Sequence, residues 1–130
     1  MHWSIYLIIF FGLLLAFACT GQRASTTFTE VLPAAEYKAL LLAKGEEVQL
    51  LDVRTAREFE AGHIEGAQNL DVLNKGDFAE GIQKLDPNKP VMLYCRSGRR
   101  SANASVLLEK QGFTEIYDLK GGFIAWSAEN

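Results

Sequence analysis

The chain has 130 residues, 48% of them hydrophobic, which is enough for one compact domain with a core and too apolar for a disordered segment. Its 13 basic and 16 acidic side chains leave a formal charge of -3, giving no general attraction to nucleic acid. Two cysteines are too few for a disulfide framework or a four-thiolate zinc site.

The first formal charge is Arg23, since Met1 to Gln22 contains no Asp, Glu, Lys or Arg. Within that stretch Ile5 to Ala18 is a nearly all-apolar run of 14 residues. A membrane-spanning helix needs roughly 20 residues, whereas a signal-peptide core takes about 7–15. Ala16-Phe17-Ala18 supplies a small-x-small cleavage pattern, and Cys19 follows it directly. Residues 1–18 thus read as a signal peptide or membrane anchor, and the segment resembles a bacterial lipoprotein signal in which Cys19 would be acylated. An uncleaved anchor and simple secretion stay open beside acylation. All three place the domain outside the cytoplasm, in the cell envelope, with the membrane as a partner of the N-terminal segment.

Residues 19–29, polar and rich in Ser and Thr, read as a flexible tether to a domain over residues 30–130. Pro33 and Glu36 suit the first turn of a helix running to about Lys44, with Gly45 past its end. Val48 to Val53 has the length and apolarity of a strand, and Thr55 to Glu58 fits a capping box opening a short helix that stops near Gly62. A strand is expected over Ala67 to Val72, a turn at Asn74 to Asp77, a helix over Phe78 to Leu85 and a loop from Asp86 to Pro90. Val91 to Tyr94 reads as a buried strand, Ser101 to Gln111 as a helix closed by Gly112, and Ile116 to Leu119 as a last strand. Gly121-Gly122 then turns into a short helix around Ala125 and Trp126. Strands alternating with helices give an α/β class, a mostly parallel sheet covered on both faces.

Cys95-Arg96-Ser97-Gly98-Arg99-Arg100 lies between the Val91–Tyr94 strand and the helix from Ser101. Ligands of open α/β sheets bind beyond the carboxyl ends of strands, where this loop begins. Consecutive N–H groups curling into a helix start make an anion nest, and Gly98 permits the backbone conformation the turn requires. Arg96, Arg99 and Arg100 add three fixed positive charges, a field expected to lower the pKa of Cys95. A free cysteine at a strand end is ordinarily a core residue. The glycine and three arginines directly after it favour a nucleophilic sulfur and an anionic substrate instead.

Three separated blocks now stand in order: Asp52-Val53-Arg54 with Glu58-Phe59, Gly62-His63-Ile64, Gly66-Ala67 and Asn69; the Cys95 loop; and Leu119, Gly121-Gly122 and Trp126. In these blocks the chain from about Glu30 to Asn130 resembles the rhodanese family. The resemblance implies a three-layer fold with a central five-stranded sheet, and sulfurtransferase chemistry. Cys95 takes the place of the family's sulfur-carrying cysteine. It would attack the outer sulfur of a small anionic donor such as thiosulfate, expel sulfite and keep a persulfide held by the N–H groups from Arg96 to Arg100. A thiol, a partner protein's thiol or cyanide would then accept the sulfur. No cofactor or metal enters this chemistry.

Rival readings fare less well. A cysteine hydrolase needs a base, and beyond the leader His63 is the only histidine, placed to brace a turn. Phosphatases resembling this fold have a loop one residue longer, with an Arg six positions after the cysteine; here that position is Ser101. Asp52, Arg54 and Glu58 read as structural support, carboxylate–guanidinium contacts tying a strand end to the next helix. Phe123 and Trp126 read as core or pocket wall. The alternative function is a module that captures sulfide, polysulfide or a partner cysteine without turnover.

Overall fold

The computed structural model describes residues 26–130. The signal or anchor segment, Cys19 and most of the tether lie outside them. Among the described residues no helix is long and apolar enough to cross a membrane.

Among the described residues five strands, β1 (Phe28–Leu32), β2 (Gln49–Asp52), β3 (Gln68–Asn69), β4 (Val91–Tyr94) and β5 (Glu115–Leu119), form one sheet in the order β1-β5-β4-β2-β3. Every pairing is parallel, as the mostly parallel expectation requires. The helices are α1 (Ala34–Lys44), α2 (Ala56–Ala61), α3 (Lys75–Gln83), α4 (Arg99–Lys110) and α5 (Gly122–Ala128), with a 3-10 turn over Gly45–Glu47 after α1.

Alternation along the strands sorts the core into two layers. Val91, Leu93 and Cys95 from β4 and its continuation join Leu51, Val53 and Ile116, and Phe78 and Ile82 of α3 and Ala104 and Leu108 of α4 pack on that face. Met92, Tyr94, Leu50 and Leu119 point the other way and meet Ala34 and Tyr37 of α1 with Phe123 and Trp126 of α5. Sequential elements thus cover both faces, so β4, the middle strand, is apolar at every position and wholly buried.

Four expectations need correction. The segment read as tether ends in β1: Phe28 and Thr29 already pair in register with Glu115 and Ile116. β1 is an edge strand exposed at all but Leu32, so its local composition carries no burial signal. Asn74 to Asp77 is not a free turn, because the Asn74 side chain accepts the Asp77 N–H and caps α3, which starts at Lys75. The strand expected over Ala67 to Val72 shrinks to Gln68–Asn69, beyond which Leu70 and Val72 hydrogen-bond to Asp52 and Val53 as a loop. Finally α4 begins at Arg99 rather than Ser101, because Gly98 at φ 111° turns the chain straight into the helix.

The helix ends follow the sequence. Thr55 and Glu58 form the reciprocal capping box at the start of α2. α4 closes with Gly112 N–H to the Glu109 carbonyl at 3.0 Å and Phe113 N–H to that of Leu108 at 3.1 Å, the paired bonds of a glycine-terminated helix, which delivers Phe113 into the core.

Candidate active site

Cys95 leaves the carboxyl end of β4 as a free thiol and is only 1% exposed. The chain then folds over its sulfur. The Gly98 N–H donates to Sγ at 3.0 Å, and the Ser101 Oγ lies 3.4 Å from it, accepting the S–H. Gly98, with φ 111°, makes this closure possible, since an L side chain seldom adopts that conformation.

Burial pushes the Cys95 thiol up, but hydrogen bonding with the Ser101 side chain and with the backbone of Ser101, Gly98 and Ser97 outweighs it, so the thiol lies below its ordinary range. The direction is the expected one, and short-range hydrogen bonds lead among its causes, with the Arg100 charge also coupled to the sulfur. These groups stand at the N-terminus of a helix of 12 residues, so the dipole acts in the same sense.

The three arginines of the loop separate into two kinds. Arg96 and Arg99 are exposed and available to an approaching anion. Arg100 is bound to Glu58 through two bonds, of 2.7 and 2.8 Å, and this pairing holds the Glu58 carboxyl at about 2. Arg100, expected among the substrate-binding arginines, has an acid of α2 as its hydrogen-bond partner in this structure, with Glu58 itself held by the α2 capping box. Ser97 is exposed on the loop and contributes its backbone N–H toward the sulfur.

Asp52 and Arg54 make a buried fork, with Arg54 Nε at 3.0 and 3.1 Å and Nη2 at 2.7 Å from the carboxylate oxygens. Arg54 Nη2 also donates to the Gly62 carbonyl at 2.6 Å, and its guanidinium lies 4.3 Å from the centre of the Phe123 ring. Asp52 and Arg54 thus make the carboxylate–guanidinium contact expected of this block. The third member, Glu58, serves Arg100 rather than Arg54. Asn69 Nδ2 donates to the carbonyls of Asp52 and Arg54, so it fastens the same strand end. His63 is exposed, stacked on Phe59 at 3.7 Å, with Nδ1 2.9 Å from the Phe59 carbonyl, in keeping with a brace.

Composition alone does not reveal what Gly121-Gly122 does. The Phe123 N–H donates to the Cys95 carbonyl at 2.8 Å and the Ile124 N–H to that of Arg96 at 3.1 Å, so the start of α5 grips the loop backbone. Gly122 is buried there, and a Cβ on it would lie 2.5 Å from the Arg96 carbonyl.

Two hollows flank the loop. One of about 450 Å³ is lined by Arg54, Glu58, Gly62, Arg96, Phe123 and Ile124. The other, about 490 Å³, lies between α3 and α4 and is mostly apolar, with Leu107 and Phe78 in its walls and Arg100 at one end. The first is the better match to a small anion, because it holds the exposed Arg96 beside the Cys95 loop.

The family of rhodanese-like domains matches this chain over residues 33–129. The chain belongs to the rhodanese family. This rhodanese domain is 38% identical over 89 residues to the thiosulfate sulfurtransferase GlpE of Shewanella oneidensis, spanning 68% of this chain and 85% of that protein. It is 40% identical over 108 residues to the protein YqhL of Bacillus subtilis, spanning 83% of this chain and 77% of that one. Among solved structures, the human single-domain sulfurtransferase TSTD1 superposes with a TM-score of 0.63 at 25% identity, covering 77% of this chain and 96% of its own.

Within the rhodanese fold, the sequence does not mark as site residues Ser101 beside the Cys95 sulfur, Gly122 under the loop backbone or the buried Asp118. The signal for Asp118 was present: an acid between Tyr117 and Leu119 in an otherwise apolar segment.

Proposed function

We propose that this rhodanese transfers sulfane sulfur from thiosulfate or a similar anionic donor to a thiol or cyanide acceptor through a persulfide on Cys95. The observation that carries the reading is the Cys95 sulfur set at the start of α4, where it accepts the Gly98 N–H at 3.0 Å. The Cys95 thiolate attacks the outer sulfur of thiosulfate. The sulfur–sulfur bond of the donor breaks, and sulfite leaves with the bonding pair. The loop N–H groups stabilise negative charge on the sulfur throughout, and Arg96 and Arg99 draw in the donor and offset the charge of the departing sulfite. An acceptor thiolate or cyanide then takes the outer sulfur and releases the Cys95 thiolate.

Assay of the purified protein with thiosulfate and cyanide, beside Cys95→Ser, tests this. Multiple turnover in the wild type, background rate in the variant and one added sulfur atom on Cys95 by mass are expected. Equal background rates and no added sulfur overturn it. The burial of Cys95 favours a second reading, capture of sulfide or a partner thiol without turnover. A stable stoichiometric adduct with slow release would select it.

For the N-terminal segment the proposal is export, with acylation of Cys19 as the anchoring event. An intact mass of the native protein showing loss of residues 1–18 and gain of acyl chains supports it, whereas an unmodified full-length mass rejects it.

A further inference from the structure

The trough between α3 and α4 is not used by the sulfur chemistry proposed above. α3 follows β3 and α4 follows β4, so in this all-parallel sheet both helices start at the carboxyl ends of the strands, beside the Cys95 loop. Phe78, Ala79 and Ile82 of α3 face Arg100, Asn103 and Leu107 of α4 across it, each set at helical spacing. The middle of the trough is therefore apolar. Leu73 on its rim is 65% exposed and Leu107 in its wall 39% exposed, so large apolar side chains gather in water at one place.

The charges around this apolar middle have one sign. Lys75, Arg100 and Lys110 line the trough, and no acidic side chain does. Lys110 lies in the last turn of α4, where the helix dipole favours a cation. The other two lie where it does not. Lys75 is the first residue of α3 and Arg100 the second of α4, at the positive ends of two helices of 9 and 12 residues. Cations placed there oppose the dipoles, whereas both side chains and both helix starts attract an anion lying between them. The nearby acids are engaged elsewhere. Asp77 accepts from Asn74 Nδ2 at 2.6 Å, Asp71 accepts the Leu73 N–H at 2.9 Å, and Glu58 holds Arg100 from the side of the other hollow. Lys75 is exposed and has no ion pair among the described residues.

At about 490 Å³ the trough has the size of a small-ligand pocket, not the spread of a protein interface, which engages roughly 20–30 residues a side. A hollow of about 140 Å³ shares Ile82 and Gln111 with it and carries the line on toward Phe113. From Arg100 to Leu107 the helix rises about 10 Å. The shape thus suits a narrow apolar chain charged at one end.

We propose that the trough binds a free single-chain amphiphilic anion, its carboxylate between Lys75 and Arg100 and its hydrocarbon chain along Phe78, Ala79, Ile82 and Leu107. Binding is non-covalent and independent of sulfur transfer, since the sulfur donor belongs to the hollow beside Arg96. Glu58 lines that hollow and Arg100 this trough, so their ion pair forms the wall between the two. The bound carboxylate and Glu58 compete for one guanidinium, and neutralising Glu58 favours the ligand.

Titration of the full chain with decanoate at neutral pH, followed by the methyl NMR signals of Ala79, Ile82 and Leu107, tests this. One-site saturation with the largest shifts on these methyls is expected. Octanoate should bind about tenfold more weakly, the worth of two methylenes, and uncharged decanol about tenfold more weakly for want of the charged hydrogen bonds. Leu107→Asp should abolish saturation, Lys75→Gln should weaken it several-fold, and Glu58→Gln should strengthen it. Equal binding of decanoate and decanol, shifts centred on the hollow beside Arg96, or an unchanged affinity in Leu107→Asp overturns the proposal. Should Leu107→Asp fail to fold, the exposed Lys75→Gln and the decanol comparison decide: loss of affinity in both supports the site, and no loss in either rejects it. A chain that binds decanoate in this way but never turns over thiosulfate would keep this proposal and remove the sulfurtransferase reading.

Discussion

Glu58 and Asp118 are two carboxyls of one small site displaced in opposite directions, and they leave opposite marks on stability. Bonds from Arg100 hold Glu58 at about 2, below its unfolded value. Its contribution is therefore complete above the ordinary carboxyl range and fades as the pH falls toward that value. Burial raises Asp118 to about 6, so the folded state binds the proton more tightly than the unfolded one, and stability declines as pH rises from the ordinary carboxyl range through that value. Asp118→Asn is expected to remove this decline, which denaturant unfolding at a series of pH values reads directly. Glu58→Gln should cost about 1 kcal/mol at neutral pH, since the bidentate pair is largely sheltered from water. It should also release Arg100 from α2, with the acceptor or donor KM shifting more than kcat.

At the scale of elements, the packing of α5 on the Cys95 loop depends on the absence of one methyl group. Gly122→Ala would force a Cβ to within 2.5 Å of the Arg96 carbonyl, and the φ of 60° there disfavours any side chain. An overpacking cost of about 1–3 kcal/mol is expected, with loss of sulfur transfer exceeding the loss of folded protein at the assay temperature. Thermal melting and the cyanide assay, run together, separate the two. The elements differ in how well local sequence announces them. β4 and the cap of α2 were legible because apolar run length and Thr55–Glu58 spacing are local properties. β1 was not, since its residues alternate Thr, Glu and exposed Val, and its strand conformation is imposed by β5, more than 80 residues later by the Phe28–Glu115 register. The turn expected at Asn74 turned out to be a helix cap, two structures that use the same side-chain acceptor and differ in whether the following chain continues to wind. Shortening the chain to begin at Pro33 should expose the edge of β5, lowering the melting temperature and promoting self-association on gel filtration.

Across the whole molecule, the Cys95 loop was legible and its support was not. Cys95, Gly98 and the arginines stand within a single loop, so their combination can be seen in one line of sequence. Ser101, Asp118 and Gly122 matter only because α4, β5 and α5 converge on that loop, and convergence is a property of the folded chain. The same limit explains why Arg100 and Arg96 looked alike before the position of α2 was known.

Because all the strands run one way, the domain has two unlike ends. The Cys95 loop follows β4 at the end where strands finish, whereas the chain enters β1 at the end where they start. Five residues of β1 separate these poles by about 17 Å of strand. The start of β1 and the Cys95 loop therefore lie at opposite poles of the described domain, so a label fixed at Phe28 would stand a full strand length from the sulfur.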